Sequence, residues 1–316
     1  MEMINWFRRT KKEPGWLVLA SDEHRLSYVH GRYATSGKSF VDFYGSTPPV
    51  EPGRSSLERV AKDLNVHDFQ CATLLHPGEY QLVLVEAPTV PQAELKSAIR
   101  WRIKDMLDYH VDDAMVDVLD IPPESSVAGR GHSMYAVAAR NEVIQERIKA
   151  YEEAQVPLTV IDIPETAQRN ICALYEPEGR GAALLYLYQD FGLLTVTFRG
   201  ELYLARRIDI GLHQILGRPQ DGRAELLGRI ALELQRTFDH FERQFHYVTI
   251  AKVVLAPEAE DCGLQGYLKA ELDVPVERVD LCAHVNFNGR EDPDAAAQWQ
   301  FFHLVGASMR HEAKVL

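Results

Sequence analysis

The sequence is poor in cysteine, in positive charge and in long apolar runs, and each shortage excludes a class of protein. Its four cysteines, Cys71, Cys172, Cys262 and Cys282, are scattered with no Cys-x-x-Cys pair. That spacing excludes a disulfide framework or a cysteine metal site, and reads as reduced, buried thiols of a cytosolic chain. Lys and Arg total 34 against 46 Asp and Glu, a formal net charge of -12. Such a chain repels phosphate backbones, so a dedicated nucleic-acid binder is not expected. No run of about 18 apolar residues occurs, so no bilayer-spanning helix is expected. The opening Met-Glu-Met-Ile-Asn-Trp-Phe lacks the apolar stretch of a signal peptide.

What is present suits a large soluble core. The 316 residues are 46% apolar and 25% charged, enough for two domains at roughly 100–200 residues each. One basic cluster interrupts the acidic balance, where Trp6 and Phe7 adjoin Arg8, Arg9, Lys11 and Lys12. An apolar patch beside four cations suits an anionic membrane surface, at about 1 kcal/mol per cation. These six residues are the expected membrane contacts, on a basic tail spanning 1–13; the bland alternative is a solubilising, frayed tail.

Short strands are expected at Trp16–Leu19, Arg25–Val29 and Ser39–Tyr44, a meander. A helix over about 57–65 follows, then strands at Gln70–Leu75 and Tyr80–Glu86. After Pro91 the pattern changes to an amphipathic helix over 92–108, with Leu95, Ile99, Ile103 and Met106 as its inward stripe. Strands at Val116–Ile121 and Met134–Ala139, a helix at Glu142–Ala154, a strand at Leu158–Ile163 and a helix at Thr166–Leu174 lead to a polar linker, Glu176–Gly181. A second meander then begins: Ala182–Tyr188, Leu193–Phe198 and Leu202–Ile208, with Arg199-Gly200 as a tight hairpin turn. A long helix over 222–245, a strand at Lys252–Leu255, a helix at Gly263–Leu272, a strand at Val276–Asp280 and a helix at Ala295–Arg310 complete the chain. Two halves, each opening with a meander, imply a duplicated α/β architecture.

Site-like patterns fail on their spacing. Gly31-Arg-Tyr-Ala-Thr-Ser-Gly37-Lys38-Ser39 puts one residue too many before its Gly-Lys for a phosphate loop, and a strand follows where a helix N-terminus is needed. His240 and His246, six apart on the long helix, would point about 240° apart. Glu242 and His246 share a face there but have no third ligand. Asp112-Asp113 and Glu291-Asp292 read as loop charges, no Gly-x-Ser-x-Gly elbow occurs, and no cysteine has an activating neighbour. No catalytic constellation, metal site or cofactor site is expected.

Five segments carry a family resemblance. They are Pro91-Gln-Ala-Glu-Leu-Lys-Ser-Ala-Ile-Arg-Trp101, Val160-Ile-Asp-Ile-Pro-Glu-Thr-Ala-Gln-Arg-Asn170, Leu193–Gly211, Glu233-Leu-Gln-Arg-Thr-Phe-Asp239 and Val305-Gly-Ala-Ser-Met-Arg310. In this order, over nearly the whole chain, they resemble the PilM/MshI family of actin-like proteins of type IV (mannose-sensitive haemagglutinin, MSHA) pilus biogenesis. The resemblance implies a duplicated actin-like (FtsA/PilM-type) α/β fold with an inserted α+β subdomain. Residues 14–86, with 164–178 and 295–316, would form the first actin-like subdomain, 87–163 the insert and 179–294 the second half.

An actin-like ATPase binds phosphates on two hairpins that each open with Asp-x-Gly, whose carboxylates place Mg²⁺ and whose glycines admit the phosphates. Here the first hairpin has Val18, Ala20 and Arg25 at its Asp, Gly and Lys positions, and the second has Tyr186 and Tyr188. The loop that would take adenosine reads Val253-Val-Leu-Ala256-Pro257. The resemblance with these departures implies a pseudo-ATPase without bound ATP or Mg²⁺, a cytoplasmic scaffold peripheral to the inner membrane. Its partner would be a PilN-like or MshJ-like bitopic protein, whose N-terminal peptide lies between the first subdomain and the insert. Arg100, Trp101 and Lys104 are the expected partner contacts. The alternatives are an ATP-binding switch or ATPase of the same system, for which Asp190 and Gly192 supply a displaced Asp-x-Gly, or a related secretion-platform protein. Oligomeric state stays open.

Overall fold

The computed structural model of the chain describes residues 12–21, 25–33, 39–47, 56–123, 133–258, 260–288 and 291–310. The chain opens with β1 (Trp16–Ser21), β2 (Leu26–Tyr33) and β3 (Ser39–Thr47), an antiparallel meander. Helix α1 (Ser56–Leu64) carries it back to β4 (Gln70–Leu74), parallel to β1. Next come β5 (Tyr80–Glu86), α2 (Gln92–Ile103), β6 (Ala114–Asp120), β7 (Ser133–Arg140) and α3 (Asn141–Glu153). Strand β8 (Leu158–Asp162) runs parallel to β4, and α4 (Pro164–Cys172) follows it.

The second half repeats the plan. Strands β9 (Gly181–Leu187), β10 (Gly192–Phe198) and β11 (Glu201–Ile208) form the meander. Helices α5 (Leu212–Leu216) and α6 (Gln220–Gln244) lead to β12 (Ile250–Leu255), parallel to β9, and α7 (Leu264–Glu271) leads to β13 (Val276–Arg278), parallel to β12. Then α8 (Leu281–His284), β14 (Val285–Asn286) and α9 (Ala295–Ser308) close the described chain. The sheet orders are β14-β3-β2-β1-β4-β8 and β11-β10-β9-β12-β13, one five-strand arrangement occurring twice with β14 added at the edge of the first, and β5-β7-β6 is a separate sheet.

Every residue of β9 and β10 is buried, and apolar side chains dominate both, because the sheet is covered on both faces. Ala182, Leu184 and Tyr186 face one core with α4 and α9, while Ala183, Leu185 and Leu187 face another with α6. Helices α4 and α9 cross closely in that first core, because a Cβ on Gly306 would stand 2.2 Å from the Ala167 carbonyl oxygen. Asn170 Nδ2 donates to the Gly306 carbonyl at 2.9 Å. At the β10–β11 turn, Arg199 and Gly200 have φ of 54° and 79°. Two left-handed residues match the twist of a two-residue hairpin.

Three sequence expectations change. Strand pairing puts β5 with β7, inside the insert, and β8 with β4, inside the first sheet; the insert therefore starts before residue 87 and its sheet ends before 158. Strand β14 returns from the second half to pair with β3. Helix α2 stops at Ile103, not 108, as the chain turns toward the edge strand β6. Met106 is 55% exposed rather than inward, and Leu107 packs on the insert's core in its place.

Candidate functional site

The hairpins β1–β2 and β9–β10 occupy equivalent places in the two sheets, where actin-like phosphate loops would lie. In the second, aromatic rings stand at both motif positions. Tyr186 is buried and stacks on Trp299 of α9 at 6.3 Å between centroids, with Phe302 at 5.2 Å and His303 at 4.4 Å. Its hydroxyl donates to the Trp299 carbonyl at 3.1 Å. Tyr188 stacks on Phe191 at 4.4 Å and on His303 at 5.4 Å. Each well-placed aromatic pair adds about 0.5–1.5 kcal/mol beyond the area it buries, so this cluster fastens β9 to α9.

The other two positions are also occupied. Val18 is fully buried in the core between the sheets, and Ala20 packs on the same core. A carboxylate at Val18 would be stranded among apolar groups. Arg25 Nη1 donates to Gln300 Oε1 of α9 at 3.0 Å, holding the first hairpin to that helix. In the third loop the Ala256 amide donates to the Leu185 carbonyl at 2.9 Å, and Pro257 is buried. Buried Glu258 accepts from the Cys262 amide at 3.3 Å and lies 3.6 Å from Arg278 Nη2. Burial pushes the pKa of this carboxylate up, and its bond to the Cys262 amide closes the loop that follows β12. Asp190 sits on the exposed β9–β10 turn, 3.5 Å from His213 Nδ1. Gly192 lies against Leu185 and Leu187, on the sheet face opposite Tyr186.

Beneath the rings lies a buried polar network. Gln168 of α4 donates to the carbonyls of Leu184 at 2.9 Å and Leu193 at 3.0 Å, and to Thr195 Oγ1 at 3.0 Å. His303 sits 3.4 Å from Gln168 Oε1, and its burial holds the imidazole down to about 3, hence neutral. At the start of α4, the Tyr80 hydroxyl of the insert donates to buried Glu165, whose carboxyl is pushed up by desolvation. Asp162 pairs with Arg310 at 2.7 Å. His76 Nε2 reaches the Ser21 carbonyl at 2.6 Å, and the His76 amide donates to Glu79 at 2.6 Å. Glu79 in turn takes both oxygens to Arg147 of α3 at 2.7 Å. These contacts join the insert, α3, α4 and the end of the described chain to one another.

The candidates that the sequence singled out fall as follows on the molecule. Gly31 lies inside β2, where a Cβ would meet Ser308 Oγ at 2.2 Å, so close helix packing accounts for it; residues 34–38 lie outside the described residues. Helix α6 ends at Gln244, so His246 lies beyond it and never shares a face with Glu242. No group of three metal-ligating side chains occurs among the described residues. Desolvation pushes the thiols of Cys71, Cys172 and Cys262 up to about 12, and that of Cys282 to about 11; none is a ready nucleophile. Trp6, Phe7, Arg8, Arg9 and Lys11 lie outside the described residues, and Lys12 is exposed. Arg100 Nε donates to the Val111 carbonyl at 2.9 Å, while Trp101 and Lys104 stand on the outer side of α2.

A groove that the sequence did not reveal lies between the first half and the helix returning from the insert. It encloses about 540 Å³ between Ala61 and Lys62 of α1, Asn65 and His67 beyond it, and Glu153 and Gln155 at the end of α3. Asn65 and Gln155 have φ of 52° and 57°, ending the two helices side by side. Only the fold brings these residues together. Arg100, Trp101 and Lys104 are not among its lining. Among the described residues no helix is long and apolar enough to cross a membrane.

No protein-family model and no curated protein matches this chain. Among solved structures it is similar to the PilM-PilN type IV pilus biogenesis complex, with a TM-score of 0.69 at 17% identity, over 93% of this chain and 96% of that one. A Bacteroides thetaiotaomicron protein with an actin-like ATPase fold and unknown function matches with a TM-score of 0.50 at 11% identity, over 90% and 96%. The cytoplasmic domain of EpsL, an inner-membrane component of the Vibrio cholerae type II secretion system, matches at 0.48 and 12%, over 91% and 93%. The PilM-PilN likeness, with the repeated sheet order, makes the fold the duplicated actin-like α/β fold, with an inserted α+β unit.

Proposed function

We propose that this chain is a non-enzymatic scaffold of a type IV pilus assembly platform, of the MSHA kind, working at the cytoplasmic face of the inner membrane. The observation that carries the reading is the pair Tyr186 and Tyr188, whose rings occupy the second phosphate hairpin and pack on α9. Rings at these two positions put neither a Mg²⁺-orienting carboxylate nor a glycine where such a hairpin holds its phosphates, and the hairpin's Asp190 lies on its exposed turn, beside His213. The scaffold docks the cytoplasmic tail of a bitopic, PilN-like or MshJ-like protein in the groove between α1 and α3. An extended segment there needs only pockets and backbone donors. The likeness to a chain of a PilM-PilN type IV pilus biogenesis complex supports such a partner. The basic tail, Trp6 to Lys12, adds a weak, salt-sensitive membrane contact.

The test is affinity purification of the intact chain with candidate inner-membrane pilus proteins in detergent. A bitopic protein is retained, and is lost when its cytoplasmic tail is removed or when Lys62 and Glu153 are both charge-reversed. Retention that survives both changes overturns the groove as the docking site.

A further inference from the structure

The groove between α1 and α3 lies where two helix C-termini meet, with α1 ending just before left-handed Asn65 and α3 just before left-handed Gln155. Each helix end carries the equivalent of about half a negative charge. The last turn of α3 adds Glu152 and Glu153 and holds no cation. Among the described residues the ion-pair partner of Glu153 is Lys149, at 3.9 Å. On the lining, Glu58 and Glu153 stand against one Lys, Lys62. The floor is apolar and made of small side chains, Ala61, Val66 and Ala154, all buried. The groove is therefore negative at its rim and apolar beneath.

The described chain begins at one end of this groove. The Glu13 amide donates to the Asp68 carbonyl at 2.7 Å, one residue beyond His67 of the lining. Residues 1–11 lie outside the described residues. They hold Met3, Ile4, Trp6 and Phe7, then Arg8, Arg9 and Lys11, with Glu2 as their one carboxylate. Eleven residues can reach up to about 40 Å, whereas the nine of α1 extend only about 14 Å.

We propose that residues 1–11 occupy this groove as a tethered competitor of the partner's tail, with Trp6 and Phe7 over the apolar floor and Arg8 and Arg9 at Glu58, Glu152 and Glu153. Attachment, reach and charge all favour the chain's own tail as the occupant. A short flexible tether supplies an effective concentration of about 1 mM. A tail with an intrinsic Kd of about 0.1 mM would then weaken any competitor about tenfold. Since the same residues cannot lie in the groove and on a bilayer together, an anionic membrane that takes the tail opens the groove. The inference rests on the groove being the docking site for its consequence, but not for its main test, which contains no partner.

The experiment measures binding of a dye-labelled synthetic peptide of residues 1–12 to the full chain at about 0.15 M salt. The comparison is the full chain carrying Trp6→Ser, Phe7→Ser, Arg8→Ser and Arg9→Ser, whose own tail is disabled. The peptide should bind this variant about tenfold more tightly than the parent. Adding Glu58→Lys and Glu153→Lys to the variant should weaken the peptide about tenfold or more. All these chains should melt like the parent, since Glu58 and Glu153 are exposed. Equal affinity for parent and variant, or no binding to the variant, overturns the proposal. Binding that survives both charge reversals places the tail elsewhere and also overturns it. In the detergent pull-down the variant should retain more of a bitopic protein than the parent. Equal retention that is still lost on charge reversal of Lys62 and Glu153 overturns the competition while leaving the docking site in place.

Discussion

The Tyr188 hydroxyl lies 3.3 Å from Nε2 of His303, and their rings stack 10° from parallel. A position that needs glycine wherever a phosphate approaches is here filled by a ring that clasps α9. The same clasp joins the two halves, because α9 also packs on the first sheet.

Tyr186→Ala removes the centre of that cluster and should cost about 3–5 kcal/mol by urea denaturation. Tyr186→Asp, which restores the carboxylate of an ATPase hairpin, should cost at least as much, because it buries a charge with no partner. A destabilisation below about 1 kcal/mol for either would mean the rings do not hold the halves.

The helix crossing makes a sharper contrast between two glycines. Gly306→Ala would bring a Cβ within 2.2 Å of the Ala167 carbonyl oxygen, so α4 and α9 must separate. A loss of about 1–3 kcal/mol or more is expected. Gly266 of α7 has open space around its missing side chain, and Gly266→Ala should stabilise by about 0.5–1 kcal/mol. Equal effects at both sites would contradict the close crossing.

Much of this fold was legible from the sequence, and the failures have physical causes. The two meanders, the Arg199-Gly200 turn and the long helix were readable because each is a local pattern of period two or 3.6. The run Leu82-Val-Leu-Val announced a strand but not its sheet, since pairing with β7 is a long-range choice. Helix α8 has four residues and β14 has two, too short to show any period. Trp101 was legible as outward from its position opposite Ile99 and Ile103. The groove between α1 and α3, the Tyr80–Glu165 contact and the Glu258 loop were not, because each joins residues that only tertiary structure brings together. Val18, Tyr186 and Tyr188 were readable as departures from a motif, but not as members of a core.

Arg147 ties the insert to the first half through Glu79 and the Leu74 carbonyl, the latter at 3.1 Å, with the arginine side chain 12% exposed. Arg147→Ala leaves Glu79 without its cation and should cost about 3–5 kcal/mol. The exposed Arg59–Asp63 pair is the control, and Arg59→Ala should stay within about 0.5 kcal/mol. A double-mutant cycle of Arg147 with Glu79 that shows no coupling would contradict the tie.

Acid should weaken the protein through His303. Its folded-state imidazole is held down to about 3 by burial, against about 6.5 when unfolded. Its contribution is complete above about 6.5 and is lost as pH falls toward about 3, because the unfolded chain binds a proton the folded chain refuses. Parent and His303→Gln both carry Glu165, so that carboxyl's opposite trend cancels in their difference. Between about pH 6 and about pH 4 the parent should lose up to about 1.4 kcal/mol per pH unit more than the variant. Parallel stability curves would place a solvent path to His303.

The claim that the fold works without nucleotide is tested most directly by isothermal titration of the full chain with Mg·ATP, alongside its thermal melt. The account predicts no binding heat and an unchanged melting temperature. A micromolar Kd, with the roughly 2.7 kcal/mol of stabilisation that a ligand at 100-fold over its Kd confers, would contradict it.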